Sequence, residues 1–167
     1  MKKILLGLIA TLVFIGCSSE KEVTINVEPS LVVGKSLTAA KFFDQFEKPH
    51  SLSADTTKLI FVFSDDMGHL ANDYFATKEA SYLNDNNTQF VADISKAPSI
   101  IRSMFIMPGL KDFKHTVLVL TEKVDSAPFR AGVDTEKILV VTLDNMNITA
   151  LKTISSQEEL IAIIEAK

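Results

Sequence analysis

Leu59-Ile60-Phe61-Val62-Phe63 is an unbroken apolar run that mixes β-branched and aromatic residues. A strand that is apolar on both of its alternating faces must be covered on both, which is the condition of a mainly parallel sheet between two helical layers. The rest of the chain fits that requirement. Phe90 to Ile94, Val117 to Leu120 and Ile138 to Leu143 are further apolar strands. Between the first two, His69 to Leu83 carries Leu70, Tyr74, Phe75 and Leu83 at helical spacing, and Asn84 to Asn87 ends it. A second helix is predicted from Pro98 to about Met107, with Pro98 near its first turn and Pro108-Gly109 breaking the chain behind it. Asp144-Asn145-Met146-Asn147 is a turn, and Ile148 to Ile154 reads as the return strand of a hairpin. Ser155 opens the last helix with Glu158 three residues on, a capping box, and Leu160, Ile161, Ile163 and Ile164 form its apolar face. Upstream, Val23, Ile25 and Val27 alternate with polar residues as a half-buried strand stopped by Pro29, and a turn or short helix follows around Leu37 to Lys41. The expected class is a three-layer α/β domain with a mixed sheet.

The amino terminus has a different character. Lys2 and Lys3 precede a run from Ile4 to Ile15 interrupted only by Thr11 and Gly7, and Phe14-Ile15-Gly16-Cys17 closes it. A basic start, a short apolar stretch and a small residue before the cut are the parts of a secretory signal peptide. The run is too short to span a bilayer, which takes roughly 20 apolar residues. Its ending on cysteine resembles the lipobox of bacterial lipoproteins, with Phe14 where leucine is usual. That resemblance implies cleavage before Cys17 and acylation of its sulfur and new amino group, and multiple acyl chains hold a protein firmly at a membrane. The expected divisions are a lipoprotein signal at 1–16, a lipid-anchored tether with a short strand at 17–30, and one folded domain at 31–167. Ser18, read by the sorting rule of two-membrane bacteria, implies an outer-membrane address facing the periplasm.

Cys17 is the only cysteine, so the domain behind it has no thiol. Loss of Lys2 and Lys3 takes the formal net charge from -4 to -6. A mildly acidic domain of this kind has no electrostatic attraction to nucleic acid. The expected partners are the membrane, through the lipid, and an envelope protein; no cofactor is implied.

Phe43-Asp44-Gln45-Phe46-Glu47-Lys48-Pro49-His50-Ser51-Leu52, followed by the Leu59 to Phe63 strand, resembles the opening of the thioredoxin-like superfamily. Peroxiredoxins and membrane-anchored thiol–disulfide oxidoreductases begin with a similar phrase, with glycine where Glu47 stands. Val117 to Glu122, Phe129 to Val133 and Ile138 to Asp144 continue the likeness, and the element order is similar to that of small periplasmic YtfJ-type proteins. The resemblance implies a thioredoxin-like sandwich and places the superfamily's Cys-x-x-Cys at Met67-Gly68-His69-Leu70. Met67 and Leu70 stand where the two cysteines would be, and no proline lies between Asp134 and Ile138, where the superfamily's cis-proline would fall. Neither Met nor Leu forms a thiolate, so the redox chemistry of those relatives has no residue to perform it.

Asp65, Asp66, Met67, Gly68, His69 and Leu70 are therefore the candidate site, a degenerate active-site position or binding surface. Two readings stand side by side. In one, Met67 and His69, with oxygen ligands from Asp65 or Asp66, hold copper; the loss of both thiolates weakens it. In the other, Asp65 or Asp66 caps a helix and His69 is solvated. Met104 and Met107, three apart, form a candidate sulfur pair for copper or, together with Phe105 and Ile106, part of the core or a sticky surface. His50 and His115 have no ligand-spaced partner and are expected at the surface. Arg102 and Lys96 have no phosphate loop near them, and Gly68 and Gly109 form no nucleotide cradle. Adjacent Asp65 and Asp66 diverge, so they give no paired-carboxylate chemistry, and Ser64 has no positioned histidine.

Overall fold

The computed structural model describes residues 27–166. The leader, Cys17 and all of the predicted Val23 to Val27 strand except Val27 lie outside the described residues, and Val27 itself is half-buried and not in a strand.

Seven strands form one sheet: β1 (Phe42–Asp44), β2 (Pro49–His50), β3 (Lys58–Val62), β4 (Thr88–Asp93), β5 (Val117–Leu120), β6 (Ile138–Asp144) and β7 (Asn147–Ile154). Their order is β2-β1-β5-β4-β3-β6-β7. β3, β4 and β5 run parallel, while β1 and β6 flank them antiparallel. The apolar runs occupy the centre, as double-sided burial requires. Ile60, Val62, Phe90, Ala92, Val117 and Val119 face one side of the sheet. Leu59, Phe61, Phe63, Val91, Leu118 and Leu120 face the other.

The first face is covered by α1 (Asp65–Ala76), α4 (Met107–Lys111) and α6 (Gln157–Ile164), through Ala71, Tyr74, Phe75, Met107, Leu110, Leu160 and Ile164. The second is covered by Leu31 and Leu37 of the entering chain and by Phe129 of α5 (Lys123–Arg130). The three-layer α/β/α sandwich with a mixed sheet is thus present.

Several boundaries differ from the sequence reading for identifiable reasons. α1 begins four residues earlier than His69, at Asp65, and ends at Ala76. The Thr77 hydroxyl donates to the Tyr74 carbonyl at 2.7 Å there, and Leu83 belongs to a separate short helix, α2 (Tyr82–Asp85). Pro108-Gly109 does not break the chain. α3 (Ser99–Ile101) runs into a π-helical stretch at Arg102–Ile106, and α4 continues through both residues. Proline has no N–H to donate and its ring crowds the carbonyl four residues back; that carbonyl, of Met104, lies in the π turn, where bonding runs five residues back, as from Met107 N–H to the Arg102 carbonyl. α5 was not legible, because Pro128 lies inside it and only Ser126 and Phe129 are buried. The last capping box is one residue later than expected: Ser156 Oγ accepts from Glu159 N–H at 3.2 Å, and Glu159 reaches back to Ser155 N–H at 3.1 Å.

The β1–β2 hairpin shows why its sequence phrase is suited to the position. Asp44 Oδ1 accepts from the N–H groups of Phe46 and Lys48 at 2.8 and 2.9 Å, closing the turn. Glu47 has φ +63°, the left-handed region that glycine favours. Gln45 is buried and acts as a piece of strand: its Nε2 donates to the His115 carbonyl and its Oε1 accepts from Val117 N–H, both at 2.9 Å. Through it the β1–β5 ladder extends beyond the backbone pairs.

Candidate functional site at the start of α1

β3 ends at Val62, Phe63 follows, and Ser64 is the N-cap of α1 with extended dihedrals. Its hydroxyl accepts no capping bond, and because it occupies the N-cap position Asp65 and Asp66 are not caps but exposed first-turn residues. A carboxylate there is stabilised by the helix dipole by about 0.3–1 kcal/mol. Asp65 Oδ1 lies 3.6 Å from His69 Nε2, one turn on, with both side chains largely in solvent. Such a pair contributes little.

Met67 and Leu70 turn the other way. Both are half-buried and pack against the core beneath α1. Residues two apart on a helix point to different sides, so Met67 faces in while His69 faces out, and the two do not converge on one ion. Gly68 is half-exposed, and a Cβ there would meet nothing within 4 Å. The second sulfur pair does not form either: Met107 is buried in the core, whereas Met104 is 61% exposed. Met104 instead joins Ile100, Ile101 and Phe105 among the exposed apolar residues of α3 and the π turn. Among the described residues no group of three or more His, Cys, Asp or Glu is arranged to hold a metal.

Beside this surface lies a charged cluster that sequence reasoning missed. Asp93, at the carboxyl end of β4, is buried, and its Oδ2 accepts from both Ser126 Oγ and Arg130 Nη1. Its other oxygen accepts from Ser95 N–H at 2.9 Å. The Arg130 guanidinium stacks over the Phe63 ring, 5.4 Å from its centroid, directly behind the residue that starts the α1 loop. The cluster therefore ties β4 and α5 to the base of the site. It is not a nucleophilic triad: Ser126 is fully buried and donates to the carboxylate, with no base to take its proton. The one signal for it in the sequence is a carboxylate following the apolar run Phe90-Val91-Ala92.

His115 corrects the surface assignment. It is only 4% exposed, and Phe75, Phe90 and Phe113 lie with ring centroids 5.2–6.1 Å away. Its Nε2 lies 3.3 Å from Asn72 Oδ1, an arrangement that puts the proton on Nε2, and the buried Nδ1 has no partner. Burial lowers its pKa from 6.5 to about 4. His50 is half-buried.

No family model matches the sequence, and no curated protein matches it. Solved structures do resemble it. One is a protein from Chlorobium tepidum assigned to the DsbE thiol:disulfide interchange type, at 15% identity and TM-score 0.53 over 80% of this chain and 94% of that one. A peroxiredoxin-like protein from Aquifex aeolicus matches at 11% identity and TM-score 0.51, over 83% and 89%. The thioredoxin domain of a thiol-disulfide oxidoreductase from Bacteroides vulgatus matches at 14% and 0.50, over 81% and all of its own length. At such identities the likeness shows the fold alone: this is a thioredoxin-like α/β domain. No described helix is long and apolar enough to cross a membrane.

Proposed function

We propose that this is a cell-envelope protein, held at the membrane by acylation of Cys17, whose thioredoxin-like domain is a binding module without thiol chemistry. One observation carries the reading. At the start of α1, Met67 and Leu70 are half-buried and packed against the core, while Asp65, Asp66 and His69 stand exposed around them. The single cysteine lies in the leader junction and not in the domain. Ser18 supports the periplasmic face of an outer membrane as the address. The partner expected at the α1 surface is another envelope protein.

The test uses the full chain in intact native cells, with a photo-cross-linking residue at His69 and a control at Asp55, away from α1. One defined cross-linked protein at His69, absent at Asp55, is the expected result. No product at His69 would overturn the reading. Stoichiometric Cu(I) binding by the full chain, abolished by His69→Ala, would replace it with that of an envelope copper carrier.

A further inference from the structure

A groove of about 710 Å³ runs between α5 and the chain segment that leads into β1. Its floor is β5 at Leu120, with Phe129 from α5 and Leu37 from the entering segment. Both lips carry large apolar side chains left in solvent: Phe43 is 49% exposed on the β1 side, and Val124 is 78% exposed on the α5 side. The two walls are of opposite charge. Lys35 and Lys41 line one, and Glu122 and Asp125 line the other. Lys35 is engaged by Glu28 and Glu122 by Arg102. Lys41 and Asp125 have no ion partner among the described residues.

We propose that this groove is a second docking surface, and that it takes an extended polypeptide segment of a partner protein. That segment carries apolar side chains between one acidic and one basic residue. The apolar floor and lips take the apolar side chains, the acidic residue meets Lys41, and the basic one meets Asp125. The shape argues for a chain and against a small molecule. Small ligands are held in concavities that bury most of their surface, and this groove is half open to solvent. The mixed charge argues against an anionic lipid surface, which would meet the acidic wall as well as the basic one. Apolar anchors in a groove with charges at its rim are the usual division between affinity and orientation.

The proposal extends the binding-module reading, but its surface does not include the start of α1, so the two stand or fall on different measurements. A display library of random 12-residue peptides is selected on the full acylated chain in nanodiscs. The expected result is enrichment of peptides with apolar residues between an acidic and a basic one. Their half-saturation concentration should rise at least tenfold in Val124→Glu and stay unchanged in His69→Ala. The double variant K41E/D125K should prefer the same peptides with the two charges exchanged. All these substitutions are at the surface and leave the core intact. Absence of any enriched pattern, binding indifferent to Val124→Glu, or no change of charge preference in the double variant would each overturn the proposal. So would selection of purely apolar peptides displaced by empty nanodiscs, which would make the groove a lipid contact.

Discussion

Lowering the pH should destabilise this domain through His115. The imidazole is buried among Phe75, Phe90 and Phe113, and Nε2 donates to Asn72 Oδ1. Protonation would add an N–H and a positive charge at Nδ1, where nothing accepts them. The folded pKa is accordingly about 4, against 6.5 for the free side chain. Between those values the unfolded chain holds a proton that the folded chain does not. Stability from this group is therefore whole above pH 6.5, falls as the pH drops, and levels off below about 4. At about 1.36 kcal/mol per pH unit, the full loss is roughly 3 kcal/mol. That is a large share of the 5–15 kcal/mol typical of a domain. Other carboxylates also titrate in this range, so the measurement is a difference. Urea unfolding of the wild type and of His115→Gln is followed by far-UV circular dichroism from pH 4 to pH 7. Glutamine keeps a donor for Asn72 and has no proton to gain. The wild-type curve should fall more steeply than the variant's by about 3 kcal/mol across the window. Parallel curves would refute the argument, because they would mean that His115 is solvated or paired when charged.

Three further substitutions probe the framework. Gly68→Ala places a methyl group in open space within α1, and should raise stability by about 1 kcal/mol in a thermal melt; a loss would show that something approaches this position. Asp93→Asn leaves the Arg130 guanidinium stacked on Phe63 without its carboxylate, and should lower the urea-derived stability by about 3–5 kcal/mol. A loss below about 1 kcal/mol would mean that solvent already serves that cation. Gln45→Leu keeps the bulk but strands the His115 carbonyl and the Val117 N–H. It should cost about 2–4 kcal/mol, and hydrogen exchange at Val117 should speed up; unchanged protection there would remove Gln45 as part of the ladder.

Much of the fold was legible because its central strands are apolar on both faces. Leu59 to Phe63 and Val117 to Leu120 need no context to be placed inside a sheet. What the sequence hid depends on partners far away in the chain. His115 reads as an isolated surface histidine until Asn72 and three phenylalanines are folded around it. Asp93 and Arg130 are 37 residues apart, and each alone looks like an ordinary charged residue at the end of an element. α5 is obscured by Pro128, and the helix through Pro108 by a π turn that local propensity does not anticipate. At the site, the identities at Met67 and Leu70 were readable, but not that both turn inward; that follows only from α1 beginning at Asp65.

The start of α1 is met by the chain's own charges. The amino end of a helix attracts anions, because its unpaired N–H groups carry partial positive charge. Here that charge faces the carboxylates of Asp65 and Asp66, supplied by the chain itself. Met67 and Leu70, half-buried, pack against the core beneath the same turn. Both arrangements favour the folded state. A helix end suited to hold an anion presents two carboxylates with a weakly paired histidine beside them, and that surface disfavours a negatively charged contact.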